Sequence, residues 1–157
     1  MNHTTSIRNA MSVDVEDYYH VSAFEGCINK QQWNEMPCRI EANMERILAL
    51  FERKSIKATF FTLGCVAERY PAMVRSIVDQ GHELASHGYD HIRVFTFTRE
   101  EFAADLVKAR AILEDVGGAA VTGYRAPSFS IDARNSWAHE VLAEHGYAYS
   151  SSVAPVV

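Results

Sequence analysis

The chain has 157 residues, 48% of them hydrophobic and 22% charged, a balance that suits a globular domain with a sizeable core and excludes disordered or collagen-like structure. Lys and Arg number 15 against 20 Asp and Glu, a formal charge of −5, so nothing draws the chain toward phosphate backbones or anionic membranes, and nucleic acid is not an expected partner. The length predicts one domain, well short of the ~250 residues of a complete (β/α)₈ barrel.

Residues 11–15 form a short apolar run ending in acids and read as a buried strand. Residues 18–39 follow with no clear periodicity; they hold Tyr18, Tyr19, Phe24 and Trp33, and a long aromatic segment of this kind reads as a functional loop. Ile40, Met44, Ile47, Leu48 and Phe51 then recur at helical spacing. Residues 57–63 (KATFFTL) are a second strand. Pro71 sits where a helix begins, Met73, Val74, Ile77 and Val78 are its apolar stripe, and Gly81 ends it. Residues 82–86 are a third strand. Thr98 with Glu101 makes a capping box for a helix whose buried face is Phe102, Leu106, Ala109, Leu113 and Val116, closed by Gly117 and Gly118. A strand over 121–124, a helix marked by Trp137, Val141 and Leu142, and a strand over 147–149 complete the order. Such βα alternation predicts a parallel sheet with right-handed crossovers, either doubly wound or part of a barrel, with chemistry at the carboxyl ends of the strands.

No run of eighteen apolar residues occurs, and the stretch up to Met11 is polar, so neither membrane insertion nor a secretory leader is expected and the chain reads as cytoplasmic. Cys27, Cys38 and Cys65 are odd in number and lack C-x-x-C spacing, which predicts reduced thiols rather than a disulfide framework or a zinc knuckle.

Three strand ends carry polar clusters that would project onto one face: Asp14-Val15-Glu16-Asp17, Ser86-His87-Gly88-Tyr89-Asp90-His91 and Tyr124-Arg125-Ala126-Pro127-Ser128. Three acids within four residues repel one another unless a positive group lies among them, and two histidines separated by three residues can reach one ion. Together they describe a mononuclear centre with oxygen and nitrogen ligands. Zinc suits it best, with manganese, cobalt and nickel also compatible. Gly88 and the lack of a Glu beside His87 exclude the H-E-x-x-H helix of zinc proteases. A serine nucleophile elbow and a phosphate-cradling glycine motif are both missing.

The segments SVDVEDYYH, KATFFTLG, GHELASHGYDH and GYRAPSFS resemble the polysaccharide deacetylases, the NodB-homology or carbohydrate esterase family 4 group. The resemblance is strongest to the branch found with exopolysaccharide export loci and grouped with peptidoglycan deacetylase-like and allantoinase-like members. It implies a partial, distorted (β/α) barrel of the NodB type, comprising the first five or so βα units. It implies metal-dependent removal of N-acetyl groups from an N-acetylated polysaccharide, in exopolysaccharide or cell-envelope metabolism. It makes His87 and His91 the metal imidazoles, Asp14 the catalytic base and Arg125 the arginine that pairs with that base. Side chains two apart on a strand share a face, so Glu16 should point with Asp14 and serve as the third ligand; Asp17 is the alternative if the chain turns directly after Val15. Ser128 stands where the family usually has tyrosine, so a backbone N–H there could serve the oxyanion but a tyrosine side chain could not. The family's proton donor, a histidine in a later Leu-x-His segment, does not occur in these 157 residues, and the chain therefore reads as the first half to two-thirds of a domain.

Trp33 either stacks on a sugar or anchors its loop. His20 could line a substrate groove, although packing suits it better; His82 reads as structural, and His139 and His145 as helix-surface residues. Two rival functions remain: a metal-independent cyclic amide hydrolase of allantoinase type, and a non-catalytic carbohydrate-binding or truncated domain. No feature sets an oligomeric state.

Overall fold

Five strands, β1 (Ser12–Val15), β2 (Thr59–Thr62), β3 (Glu83–Ser86), β4 (Gly123–Tyr124) and β5 (Tyr149–Ser150), make one parallel sheet in the order β1-β2-β3-β4-β5. The structure, a computed structural model, describes residues 9–154; the polar stretch 1–8 and the apolar end 155–157 lie outside the described residues. A doubly wound sheet reverses its strand order at a switch point. Here every new strand adds to the same edge, as it does around a barrel, and this resolves the choice that βα alternation left open.

Helices α1 (Ile40–Arg53), α2 (Gly64–Arg69), α3 (Pro71–Asp79), α4 (Arg99–Gly117) and α5 (Trp137–Glu144) connect the strands. The apolar stripe of α1 is buried at Ile40, Met44, Leu48 and Phe51. Helix α4 begins with the expected capping box, Thr98 N–H to Glu101 Oε2 at 2.8 Å and Glu101 N–H to Thr98 Oγ1 at 3.2 Å. It ends at Gly118, whose φ of +67° is the left-handed conformation that glycine adopts most readily. Strand β5 falls at 149–150 rather than 147–149, because Tyr147 turns inward and donates its hydroxyl to the Leu106 carbonyl on α4 at 3.3 Å. Helix α2 was not foreseen. Residues 18–39 are less featureless than their sequence suggests, containing short 3₁₀ turns at Tyr18–His20, Ser22–Phe24 and Lys30–Gln32.

The two faces of the sheet differ. Phe60 and Leu84 pack into one apolar cluster with Leu106 and Leu113 of α4 and Ile77 of α3. Asp14, Phe61 and Ala85 are register mates on β1, β2 and β3 and share the opposite face, on which the polar strand ends converge. Among the described residues no helix is long and apolar enough to cross a membrane.

Candidate metal and hydrolytic site

His87 follows β3 directly and is 2% exposed. Its Nδ1 lies 2.8 Å from the Arg125 carbonyl; a carbonyl only accepts, so Nδ1 carries the ring proton and Nε2 is left with its lone pair. Burial lowers the His87 pKa against the pull of the Asp14 and Glu16 charges, keeping the ring neutral, as a metal ligand must be.

The chain then turns sharply. Gly88 has φ +77°, and a Cβ there would stand 3.2 Å from Asp105 Oδ2. The carbonyls of Gly88 and Tyr89 accept the N–H groups of Gly64 and Cys65, each at 2.9 Å, so the first turn of α2 braces the loop. Tyr89 N–H donates to Asp105 Oδ2 at 3.3 Å. His91 itself sits at φ +62°, a conformation unfavourable for a residue with a side chain and held only where its surroundings enforce it. The result is that the two imidazoles meet edge to face, ring centroids 5.3 Å apart.

Glu16 completes the group. One ligand atom from each of Glu16, His87 and His91 lies within 4.8 Å of the others. His91 Nε2 is 2.9 Å from Glu16 Oε2, yet Glu16 Oε2 and His91 Nδ1 are both buried without a hydrogen-bond partner. Burial opposes ionisation of Glu16, but the neighbouring imidazoles, His91 foremost, outweigh it and hold the carboxyl below its ordinary pKa. Two imidazoles and an orphaned carboxylate oxygen are a donor set that fits zinc or a similar divalent ion.

Asp17 points elsewhere, because it caps the 3₁₀ turn Tyr18–His20. Its carboxylate accepts the N–H groups of Tyr18 at 2.9 Å, Arg39 at 2.7 Å and Ile40 at 3.1 Å, tying the end of β1 to the start of α1. Asp14 Oδ1 pairs with Arg125 Nη1 at 2.6 Å. The guanidinium also donates to Ser12 Oγ at 3.0 Å, Ser151 Oγ at 3.0 Å and the Ser151 carbonyl at 3.3 Å, and lies over the Phe61 ring. Asp14 is thereby oriented by a group that is itself held on several sides.

The two residues expected to meet substrate have different surroundings. Trp33 is half-buried, edge-on to His20 at 4.6 Å, and lines a cavity that His91 also borders. Ser128 is exposed, at φ +54°, with its hydroxyl 2.9 Å from that of Ser22. His82 is structural: its Nδ1 accepts the Ala58 N–H at 3.2 Å and its ring packs on Phe51 and Phe60. His139 is exposed on α5, and His145 Nδ1 sits 2.8 Å from the Val141 carbonyl at the helix end. Asp105 went unnoticed in the sequence, although an acid three residues after Phe102 and four before Ala109, on the buried stripe of α4, was a usable signal.

A parallel β/α domain with a His–His–carboxylate group and an Asp–Arg pair at its strand ends has the ingredients that metal-assisted hydrolysis uses. Residues 31–150 match the profile of the family described as polysaccharide deacetylase, and the chain belongs to this family, the NodB-homology or carbohydrate esterase family 4 group. It is 33% identical over 113 residues to a peptidoglycan deacetylase of Helicobacter pylori, covering 72% of this chain and 38% of that protein. It is 32% identical over 96 residues to a peptidoglycan-N-acetylglucosamine deacetylase of Bacillus cereus, covering 60% of this chain and 35% of the relative. The crystal structure of a Mycobacterium smegmatis protein assigned as a polysaccharide deacetylase superposes with a TM-score of 0.74 at 26% identity, covering 91% of this chain and 50% of the other. A carbohydrate esterase family 4 pseudoenzyme of Bacillus anthracis shares the fold at a TM-score of 0.69 and 18% identity, covering 90% of this chain and 41% of that one. The fold thus occurs without activity, and function must be argued from the site. The chain spans only about a third to a half of these relatives, and β1 with its acids precedes the matched stretch.

Proposed function

We propose that this chain carries the metal-binding part of a de-N-acetylase that hydrolyses N-acetyl groups on an exopolysaccharide or cell-envelope polysaccharide. The observation that carries this is the convergence of Glu16, His87 and His91 within 4.8 Å beside the Asp14–Arg125 pair. The names of the Helicobacter and Bacillus relatives support it. In this reading Glu16, His87 and His91 hold a divalent ion, zinc by preference and manganese, cobalt or nickel as alternatives. When bound, the ion supplies Lewis-acid polarisation of the acetamide carbonyl and of an attacking water. Asp14 accepts the proton of that water, and Arg125 keeps its carboxylate aimed. Trp33 and Ser128 meet the glycan. The departing nitrogen also needs a proton, which the family resemblance assigns to the later Leu-x-His segment.

Metal analysis and acetate release from N-acetylglucosamine oligomers test the assignment together. His87→Ala and His91→Ala should lose the metal, whereas Asp14→Asn should keep it and lose turnover by about 10²- to 10⁴-fold. Stoichiometric metal in the protein lacking both histidines would overturn the reading.

A further inference from the structure

A cavity of about 620 Å³ opens between residues 25–33 and residues 90–96, with His20 and His91 among its lining residues, so it adjoins the cluster at His91. Its size is that of a small-molecule site. Four charged side chains line it, and they neutralise one another: Lys30 pairs with Asp90, and Arg93 Nη2 meets Glu25 Oε2 at 2.6 Å. Among the described lining residues no Lys or Arg is left unpaired to receive an anionic group. His20 adds none: the Asp17 N–H donates to its Nδ1 at 2.8 Å, which leaves the ring proton on Nε2, and burial lowers its pKa to about 4.

What the wall does offer is suited to hydroxyl groups and a ring face. The amide side chains of Asn29 and Gln32 and the Trp33 ring line the space. Glu25 to Lys30 precede the stretch matched by the family profile, whereas Gln32, Trp33, Asp90 and Arg93 lie within it.

We propose that this cavity is a subsite for an uncharged pyranose, the neighbour of the residue whose N-acetyl group reaches the Glu16–His87–His91 cluster, and that it discriminates against carboxylate-bearing sugars. The proposal rests on the de-N-acetylase reading. A uronate placed there would find both cations already engaged by Glu25 and Asp90, and a carboxylate taken from water without a partner is disfavoured.

Calorimetric titration of the full chain compares an N-acetylglucosamine tetramer with a tetrasaccharide alternating N-acetylglucosamine and glucuronate. The neutral tetramer should bind about tenfold tighter or more, and Trp33→Ala should weaken it by a similar factor while Trp33→Phe largely restores it. Glu25→Gln releases Arg93 and should narrow the gap by strengthening uronate binding. Equal affinity for the two glycans, no measurable binding of the neutral tetramer, or an unchanged ratio in Glu25→Gln would overturn the subsite. Binding is read without turnover, so absence of acetate release would count against the hydrolase reading and leave this result interpretable.

Discussion

Replacing Asp105 by Asn removes a charge that the fold tolerates poorly. The residue lies on the inward stripe of α4 beneath the loop between the two histidines, and burial raises its pKa from 3.8 to about 6. Asp90 adds to that rise, whereas the Tyr89 N–H and the charges of Lys108 and Lys30 oppose it. An increase of this size corresponds to ~3 kcal/mol. Between the two values the folded protein holds the proton more tightly than the unfolded chain, so stability falls as pH rises from about 4 to about 6 and the deficit persists above. Asn preserves the size and offers Tyr89 N–H an acceptor, without the charge. Because Asp105 is only partly buried, solvent relieves some of the penalty, and Asp105→Asn should stabilise by ~1–3 kcal/mol near neutral pH and by little near pH 4. Urea unfolding followed by circular dichroism across that range measures the difference. A variant that loses stability at neutral pH, or whose effect does not grow with pH, would refute the assignment of the penalty to a buried charge.

Asp17→Ala should cost ~1–3 kcal/mol in the same unfolding assay, because it strips the acceptor from the N–H groups of Tyr18, Arg39 and Ile40; Asp17→Asn, which keeps an oxygen, should recover part of the loss. Gly88→Ala forces a side chain into φ +77° against Asp105 Oδ2 and should cost ~1–2 kcal/mol. It should also weaken metal retention, measured by chelator competition, since the distortion falls between His87 and His91.

The parts of this structure legible in the sequence are those with local causes. Helix α4 announced itself through Thr98, Glu101 and Gly118, each acting within a few residues of its own position; Glu16 and Asp17 lie just past β1, and the Tyr18–His20 turn that Asp17 caps gave no sign of itself in the sequence. Helix α2 escaped because its first N–H groups are satisfied not by a side chain ahead of it but by the carbonyls of Gly88 and Tyr89, some two dozen residues downstream. The left-handed turn at His91 was likewise hidden, since histidine gives no signal of positive φ and the constraint comes from packing around the loop. The contact of Lys30 with Asp90 joins residues 60 apart, and no periodicity could have paired them. Residues 18–39 drew attention as an aromatic loop; that their charges pair off across a cavity is a property of tertiary structure only.

Arg125 follows β4, yet it touches every other strand of the sheet or its immediate extension: Ser12 and Asp14 of β1, the Phe61 ring on β2, the Ser86 carbonyl of β3 through its own N–H at 2.9 Å, and Ser151 just past β5. In a flat sheet β1 and β4 would stand ~14 Å apart, so this side chain works as a bowstring drawn across an arc. The curvature of the sheet and the aim of Asp14 are therefore one mechanical object. A shorter cation in its place would slacken the arc as well as the ion pair, and attempts to tune the reactivity of Asp14 through its partner will change the shape of the scaffold with it.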